Sequence, residues 1–409
     1  MVQLRDYPAA ASFFANQKYT MTQNHPNKVF FAESWNRQTL DASLLEISEQ
    51  CIECGICVKQ CAFLKKYGTP KKIADRWHLQ EENVSAKAFE CSLCSLCTAV
   101  CPVKIDPQNM FLEMRRYAVA NGNSDFAKQK RLINFEKRGT SNRYSFYGLP
   151  AGCDTVMFPG CALAGSRPQR VMQLFDHLQK FFPNLGIVLD CCTKPSHDLG
   201  RFTYFHAMFS EMQQYLVRHG VKTVLVACPS CSAIFTKYGE MFNCLSVYNI
   251  LAKEYWQPET KLSTASVTIQ DSCVARFETI MQNSVRKLIQ AHGVTYEEMK
   301  HYGKKTLCCG EGGGAHFVAP ALAGNWAEIR TLEVQKRLII TYCAGCAHFL
   351  GKVAHTAHLL DLIFDPAGTL AGKARVAKFP FTYLNRWLLK RKFKGKMKYG
   401  SSRERNFTG

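Results

Sequence analysis

The sequence predicts an α + α/β chain: a helical, cysteine-dense N-terminal domain, two pseudo-symmetric α/β lobes, and a basic C-terminal tail. Three observations predict it. Two tight cysteine runs lie in helix-prone sequence before about residue 150. From about 151 to 365, short apolar runs alternate with helical patterns, as parallel α/β units require, and this stretch repeats internally. From about 366 the chain turns to a small-residue linker, DPAGTLAGKAR, and then to basic sequence. These changes mark an N-terminal extension at 1–44, the helical domain at 45–150, the two lobes at 151–260 and 261–365, and the linker and tail at 366–409.

Composition bounds the classes. The 409 residues are 47% hydrophobic and 21% charged, which excludes a disordered chain. No apolar run approaches the roughly 18 residues of a bilayer-crossing helix. The start, MVQLRDYPAAASFF, puts Arg5, Asp6 and Pro8 where a signal peptide needs an unbroken apolar core, so a cytoplasmic chain is expected. Thiols stay reduced there, and 20 cysteines in tight clusters then point to metal rather than disulfides. Of the net charge of +20, residues 373–409 supply +11, so the basicity belongs mainly to the tail.

The helical domain holds Cys51-x-x-Cys54-x-x-Cys57-x-x-x-Cys61 and, 29 residues later, Cys91-x-x-Cys94-x-x-Cys97-x-x-x-Cys101-Pro102. This is the bacterial ferredoxin spacing for two 4Fe-4S clusters. Three cysteines wrap one cube, and the fourth begins a helix and reaches across to the other. Cys51, Cys54, Cys57 and Cys101 are therefore expected to hold one cluster, and Cys91, Cys94, Cys97 and Cys61 the other. Ala62 stands where the first run would have proline. Structural zinc, the alternative, uses two separated pairs and fits three cysteines in seven residues poorly. The long separation resembles the α-helical ferredoxin domain of iron–sulfur subunits of succinate dehydrogenase-type complexes.

The lobes repeat a second pattern: Cys161, Cys191-Cys192, Cys228-x-x-Cys231, then Cys273, Cys308-Cys309, Cys343-x-x-Cys346. Each CxxC follows an apolar run, VKTVLVACPSC or KRLIITYCAGC, which reads as a strand preceded by a helix. Cysteine loops at strand ends sit where open sheets hold ligands. Five thiolates in one pocket repel unless metal neutralises them, and adjacent cysteines suit neighbouring irons better than one small ion. The pattern resembles the CCG-domain family, which includes the B and D subunits of heterodisulfide reductases and the iron–sulfur subunits of anaerobic glycerol-3-phosphate, glycolate and lactate dehydrogenases. The resemblance spans roughly residues 45 to 365. It implies that Cys161, Cys191, Cys192, Cys228 and Cys231 form one non-cubane 4Fe-4S site, and Cys273, Cys308, Cys309, Cys343 and Cys346 the other. Thr193 replaces the family's glycine after the first pair, which raises a question about backbone geometry. The second copy keeps Gly310 and adds Gly312, Gly313 and Gly314, read as a tight turn around the cluster rather than a phosphate cradle.

His197 and Asp198 follow the first pair, and Glu311 and His316 the second. They are the candidate proton donors if disulfide chemistry occurs; the alternative is that they cap turns. Cys153 and Cys244 fit neither set and read as ordinary buried residues. His348, His355 and His358 read as packing or surface residues. In the tail, Phe381, Leu384, Trp387 and Leu388 share one helical face, with Asn385, Arg386, Lys390, Arg391 and Lys394 mostly opposite. Such a helix suits an anionic membrane surface. Docking on the protein itself, a solvated end, or an acidic partner are the rivals.

The expectation is an iron–sulfur oxidoreductase subunit, peripheral at the inner face of the membrane. Electrons pass through two 4Fe-4S cubanes to CCG-bound clusters in a heterodisulfide reductase-like complex of anaerobic or respiratory metabolism. No NAD or FAD fingerprint is visible, so a flavin would sit on a partner. Expected partners are other redox subunits, flavoprotein or quinone-reactive, together with a disulfide substrate. Two versions stay open: catalysis on the disulfide, or a pure relay from a flavoprotein dehydrogenase to membrane quinone. A zinc-rich, nucleic-acid-binding scaffold is the answer of a different class.

Overall fold

The computed structural model describes residues 35–79, 84–255, 266–334, 337–396 and 398–407. Most of the expected N-terminal extension and the expected lobe boundary at 260 lie outside them. The helical domain begins before residue 45. Helix Arg37–Gln50 opens at Asn36, whose side chain accepts from the Gln38 amide, and it buries Leu40, Leu44 and Ile47 at helical spacing. That face packs on helix Pro107–Ala120, which starts with proline in its first turn behind an Asp106 cap. Trp35 and Thr39 donate to Glu113 at 2.8 and 3.0 Å across the same contact. One apolar core, with Phe63, Ile73, Met110 and Phe111, surrounds the cysteine loops.

The lobes use β1 (Phe146–Leu149), β2 (Thr155–Phe158), β3 (Gly186–Leu189), β4 (Thr223–Val226), β5 (Asn243–Ser246), β6 (Ser266–Gln270), β7 (Thr295–Glu298), β8 (Leu338–Thr341), β9 (Thr356–His358) and β10 (Ser401–Arg403). The first sheet has the order β10-β1-β3-β2-β4-β5, and the second β7-β6-β8-β9. The four strands β3-β2-β4-β5 are parallel and reproduce the order of the second sheet. This is the sequence repeat in three dimensions. Strands β2, β3 and β4 are buried almost throughout, so they read as continuous apolar runs rather than alternating ones.

The first sheet reaches beyond the span 151–260 at both ends. β1 pairs antiparallel with β3, and β10 pairs antiparallel with β1, Tyr147 opposite Arg403. Arg405 is fully buried behind that strand, 3.1 Å from Asp190 and 3.0 Å from the Tyr147 hydroxyl. A single apolar core runs through both lobes, from Leu174 and Phe175 to Val285 and Leu288. Arg167 crosses between the lobes to Asp361 at 2.6 Å, and Arg170 joins it at 3.2 Å.

The C-terminal helix, Phe381–Lys396, docks on the first lobe. It buries Arg386, Leu389, Lys390 and Phe393, with Phe393 edge-on to Phe175. Two members of the basic face, Arg386 and Lys390, turn inward. Arg386 donates to the Gly139 carbonyl at 3.1 Å, and Lys390 pairs with Glu404 at 2.8 Å. The apolar stripe stays outside: Phe381 is 61%, Leu384 48% and Leu388 41% exposed, and Trp387 is half-buried. Among the described residues no helix is long and apolar enough to cross a membrane.

Candidate iron–sulfur site

The two ferredoxin-like runs are wound alike. Glu53 and Gly55 in the first, and Leu93 and Ser95 in the second, are left-handed, with φ of 51°, 70°, 48° and 55°. Left-handed residues at matching positions curl each loop so that its three cysteines face inward. Cys51, Cys54, Cys57 and Cys101 line one cavity, which Cys97 also borders. Cys61, Cys91, Cys94 and Cys97 line the next. The structure therefore brings together the two crossed sets that the spacing groups. Cys61 caps helix Ala62–Tyr67. Cys101 does not begin a helix; Pro102 and Val103 turn the chain first, and the next helix starts at Pro107. Burial raises two of these thiols and their neighbours raise them further: Cys57 to about 11 beside Cys51 and Cys54, and Cys61 higher still beside Cys94 and Cys91.

In the lobes, the cysteines stand at the C-terminal ends of parallel strands, which is why residues far apart in sequence converge. Cys161 follows β2, Cys191 and Cys192 follow β3, and Cys228 follows β4; Cys273 follows β6 and Cys343 follows β8. Thiol contacts link each set in the same order. One chain runs Cys161–Cys191–Cys192–Cys231–Cys228, with 3.8 Å between the first two sulfurs. The other runs Cys273–Cys308–Cys309–Cys346–Cys343. Cys192 accepts from Cys191 and Cys231 and is held down at about 6; Cys308 accepts from Cys273 and Cys309 and is also held low. Among the described residues no three Cys, His, Asp or Glu side chains are placed to grip a single metal ion. Five thiols in each set exceed the four ligands a tetrahedral zinc ion takes, and soft thiolates in that number suit a multinuclear cluster.

Three features fit such a group. Gly160 forms a cradle: a Cβ there would lie 3.0 Å from the Cys228 Cβ and 3.2 Å from the Cys231 sulfur. Thr193 adopts φ 54°, ψ 24°, the left-handed geometry glycine would take, so the substitution preserves the turn. Its hydroxyl, and Nη1 of Arg386, are buried without hydrogen-bond partners among the described residues.

The sets adjoin in a fixed order. Cys94 packs with Cys273 and Cys308 in one small cluster, and Arg276 donates to the Cys94 carbonyl at 2.9 Å. Gly312 and Gly313 press on the second ferredoxin loop: Cβ atoms there would lie 2.6 Å from the Ser92 carbonyl and 3.0 Å from that of Cys91. The glycine run thus admits the neighbouring domain rather than only turning about a cluster. Arg115, fully buried, donates to the carbonyls of Ala88, Asp198, Gly313 and Cys91. At the next junction, Cys231 lowers Cys228 while burial and Cys343 act against it, and the Tyr248 hydroxyl donates to the carbonyls of Ala227 and Tyr342, the residues before Cys228 and Cys343.

The four proton-donor candidates differ in placement. His197 is buried between Asp198 (Nδ1, 2.8 Å) and the Tyr238 hydroxyl (Nε2, 2.9 Å), and burial lowers it to about 3, so it is neutral at pH 7. Burial opposes ionisation of Asp198, but Lys194, at 2.7 Å, and His197 outweigh it and keep it a carboxylate. It is Lys194, given no role by the sequence reading, whose ammonium faces Cys192 and Cys273. Glu311 lies beside Cys228 and Cys308, hence beside both sets; burial first, then those thiols, raise it to about 7. His316 lies tilted against Phe317 at 3.9 Å and edge-on to Phe349 at 5.6 Å. His358 caps helix Leu359–Phe364 in a reciprocal box with Asp361.

Comparison with known proteins matches this architecture. Residues 50–106 match a 4Fe-4S dicluster domain, and residues 155–236 and 267–351 each match a cysteine-rich domain, the CCG domain. The chain is 25% identical over 333 residues to the EtfAB:quinone oxidoreductase of Syntrophomonas wolfei, covering 70% of this chain but 46% of that protein. It therefore spans just under half the length of that relative. It is 25% identical over 359 residues to the D subunit of dihydromethanophenazine:CoB–CoM heterodisulfide reductase from Methanosarcina mazei, covering 73% and 87%. A probable iron–sulfur-binding oxidoreductase, FadF of Bacillus subtilis, is 22% identical over 302 residues, covering 64% and 43%. A dicluster domain packed against two five-cysteine lobes defines an iron–sulfur electron-transfer oxidoreductase subunit. Within that class, the chain belongs to the CCG-domain iron–sulfur oxidoreductases, the group that includes the heterodisulfide reductase relative from Methanosarcina.

Proposed function

We propose that the chain conducts electrons along four cysteine sets in series, as a subunit of a heterodisulfide reductase-like complex. The observation that carries this reading is the adjacency of Cys94 with Cys308 and of Cys228 with Cys343. It orders the sets as Cys51/Cys54/Cys57/Cys101, then Cys61/Cys91/Cys94/Cys97, then the second lobe, then the first. Iron–sulfur clusters, when bound, exchange single electrons; splitting a disulfide to two thiols takes two electrons and two protons. A redox partner subunit, flavoprotein or quinone-reactive, supplies the electrons. The chain's residues hold the thiolates and exclude water, and Glu311 stands where it can hand a proton to a leaving thiolate. His197 and Asp198 act one step back, by fixing Lys194. After anaerobic purification, iron should exceed the roughly eight atoms that two cubanes account for, and reduced dye should turn over a disulfide. Iron at or below that level, zinc in its place, or no turnover with no new paramagnetic signal would sink this reading.

A second reading, relay to membrane quinone, is favoured by the outer face of the C-terminal helix. Phe381, Leu384 and Leu388 line up there beside exposed Lys378, Arg391 and Lys392. Apolar side chains framed by cations suit an anionic lipid surface, each cation adding about 1 kcal/mol. The double variant Phe381→Ser, Leu384→Ser should lose co-sedimentation with phosphatidylglycerol-rich vesicles. Equal partitioning of variant and wild type would exclude the relay's membrane contact. Deleting the tail is not a clean test, because β10 and Arg405 belong to the first lobe.

A further inference from the structure

We propose that Arg386, carried by the C-terminal helix, is the outer-sphere cation of the first five-cysteine site, and that the segment 381–405 is a working part of that site. The family domains stop at residue 351, and nothing in their motifs requires a tail. Yet the helix lies against the C-terminal end of helix Cys161–Ser166: Asn385 donates to the Gly165 carbonyl at 3.0 Å, and a Cβ on Gly165 would lie 3.1 Å from the Thr382 carbonyl. This close approach brings the Arg386 side chain over Gly139. The point a Cβ on Gly139 would occupy is 3.1 Å from Nη2, 3.3 Å from Nη1 and 3.4 Å from the Cys191 Cβ. The guanidinium is therefore wedged beside Cys191, and it is only 4% exposed.

Its hydrogen bonding is incomplete. Nη2 donates to Gly139, whereas Nη1 has no partner, and among the described residues no carboxylate pairs with it. Phe135 and Tyr144 flank it at 5.7 and 5.5 Å. The nearby carboxylate Glu136 is engaged by Ser196 and Arg201 instead. A buried guanidinium without an anion is costly. The group within reach that would carry negative charge is the first cysteine set, since Nη2 and Nη1 of Arg386 and the Cys191 Cβ converge on the same point over Gly139. In the second lobe, buried Arg330 is neutralised locally by Glu333 at 2.7 Å, while buried Arg276 turns to the carbonyls of Cys94 and Lys304, toward the second ferredoxin loop. The tail reaches the first site a second time, since Arg405 pairs with Asp190, whose carboxylate accepts the Cys191 amide at 2.7 Å.

A neighbouring positive charge favours the state with one more electron, so Arg386 raises the reduction potential of the first site relative to its twin. The inference rests on the reading that this set of five holds a cluster. The test is potentiometric titration of the full-length, anaerobically purified protein, followed by paramagnetic resonance, with iron and sulfide counted. The first-site signal is the one absent from a Cys228→Ala variant. Arg386→Gln should shift the reduced-to-oxidised ratio of that signal about tenfold at fixed potential, about 59 mV more negative. Arg386→Lys should stay near wild type, and the ferredoxin signals should not move. Iron loss in Arg386→Gln with full iron in Arg386→Lys would equally support the charge. An unmoved midpoint at full iron, or equal iron loss in both variants, would overturn the proposal. A wild-type protein with iron for two cubanes only would overturn both it and the reading beneath it, and so is distinguishable from failure of Arg386 alone.

Discussion

Thr193 and Gly310 follow the paired cysteines at equivalent places, and their surroundings explain why only one is glycine. At Gly310, φ is 103°, and a Cβ would lie 2.5 Å from both the Ala323 carbonyl and the Phe349 ring. At Thr193 the backbone is left-handed, but the side chain is accommodated, with its hydroxyl unpartnered. Gly310→Ala should therefore cost about 3 kcal/mol by overpacking, whereas Thr193→Gly should stabilise by about 1 kcal/mol through relief of left-handed strain. Thermal unfolding with iron counting checks both; equal effects at the two sites would refute the steric argument. His197 makes a pH prediction. Its pKa falls from 6.5 to about 3 on folding, so the unfolded chain binds the extra proton between those values, and stability declines as pH drops through that window. It faces Asp198, Tyr238, Lys194 and Arg116. In His197→Gln that slope should flatten in denaturant titrations from pH 6.5 to 4; an unchanged slope would assign it to other groups. Cysteine spacing made the two ferredoxin sets legible because few chemistries tolerate such crowding of thiols, while the two sets of five came from the resemblance to the CCG domains. Lys194, Arg115 and Arg386 were not legible, since a basic residue looks the same in sequence whether it meets water or a buried carbonyl. Only long-range contacts distinguish them.

The strands entering each CxxC were readable because parallel strands covered on both faces are continuously apolar. β10 was not: SSR carries no strand signal, and its partner β1 lies more than 250 residues away. The C-terminal helix showed its amphipathic pattern in sequence, but the pattern does not say which face docks. Here Leu389 and Phe393 enter the lobe core with Arg386 and Lys390, because the Gly139 and Asn142 carbonyls and the Glu404 carboxylate serve the two cations as partners. Between the lobes, the Arg167–Asp361 pair is almost fully buried. Removing one partner strands the other charge, so Asp361→Asn should destabilise by about 3–5 kcal/mol. Arg167→Met combined with Asp361→Leu should cost much less than the two single changes summed. Additivity in that double-mutant cycle would mean the ion pair contributes no coupling.

Arg115 is where the molecule is tied together. One guanidinium serves carbonyls of the helical domain (Ala88, Cys91), the first lobe (Asp198) and the second (Gly313). Arg115→Met would leave these acceptors buried and unpaired, at a cost of about 3 kcal/mol or more. Calorimetry should then show the single unfolding transition splitting, with the helical domain melting apart from the lobes. One undivided transition at the wild-type temperature would show that the clamp is dispensable. The pairing of β10 with β1 has a consequence for biogenesis. The sheet that frames Cys191 stays incomplete until residues 401–405 have left the ribosome. On the proposed reading, a cluster in the first lobe would be enclosed only once that late segment has emerged, and a chain cut short by a stop codon ahead of it should load the ferredoxin-like loops yet lack a closed first-lobe site.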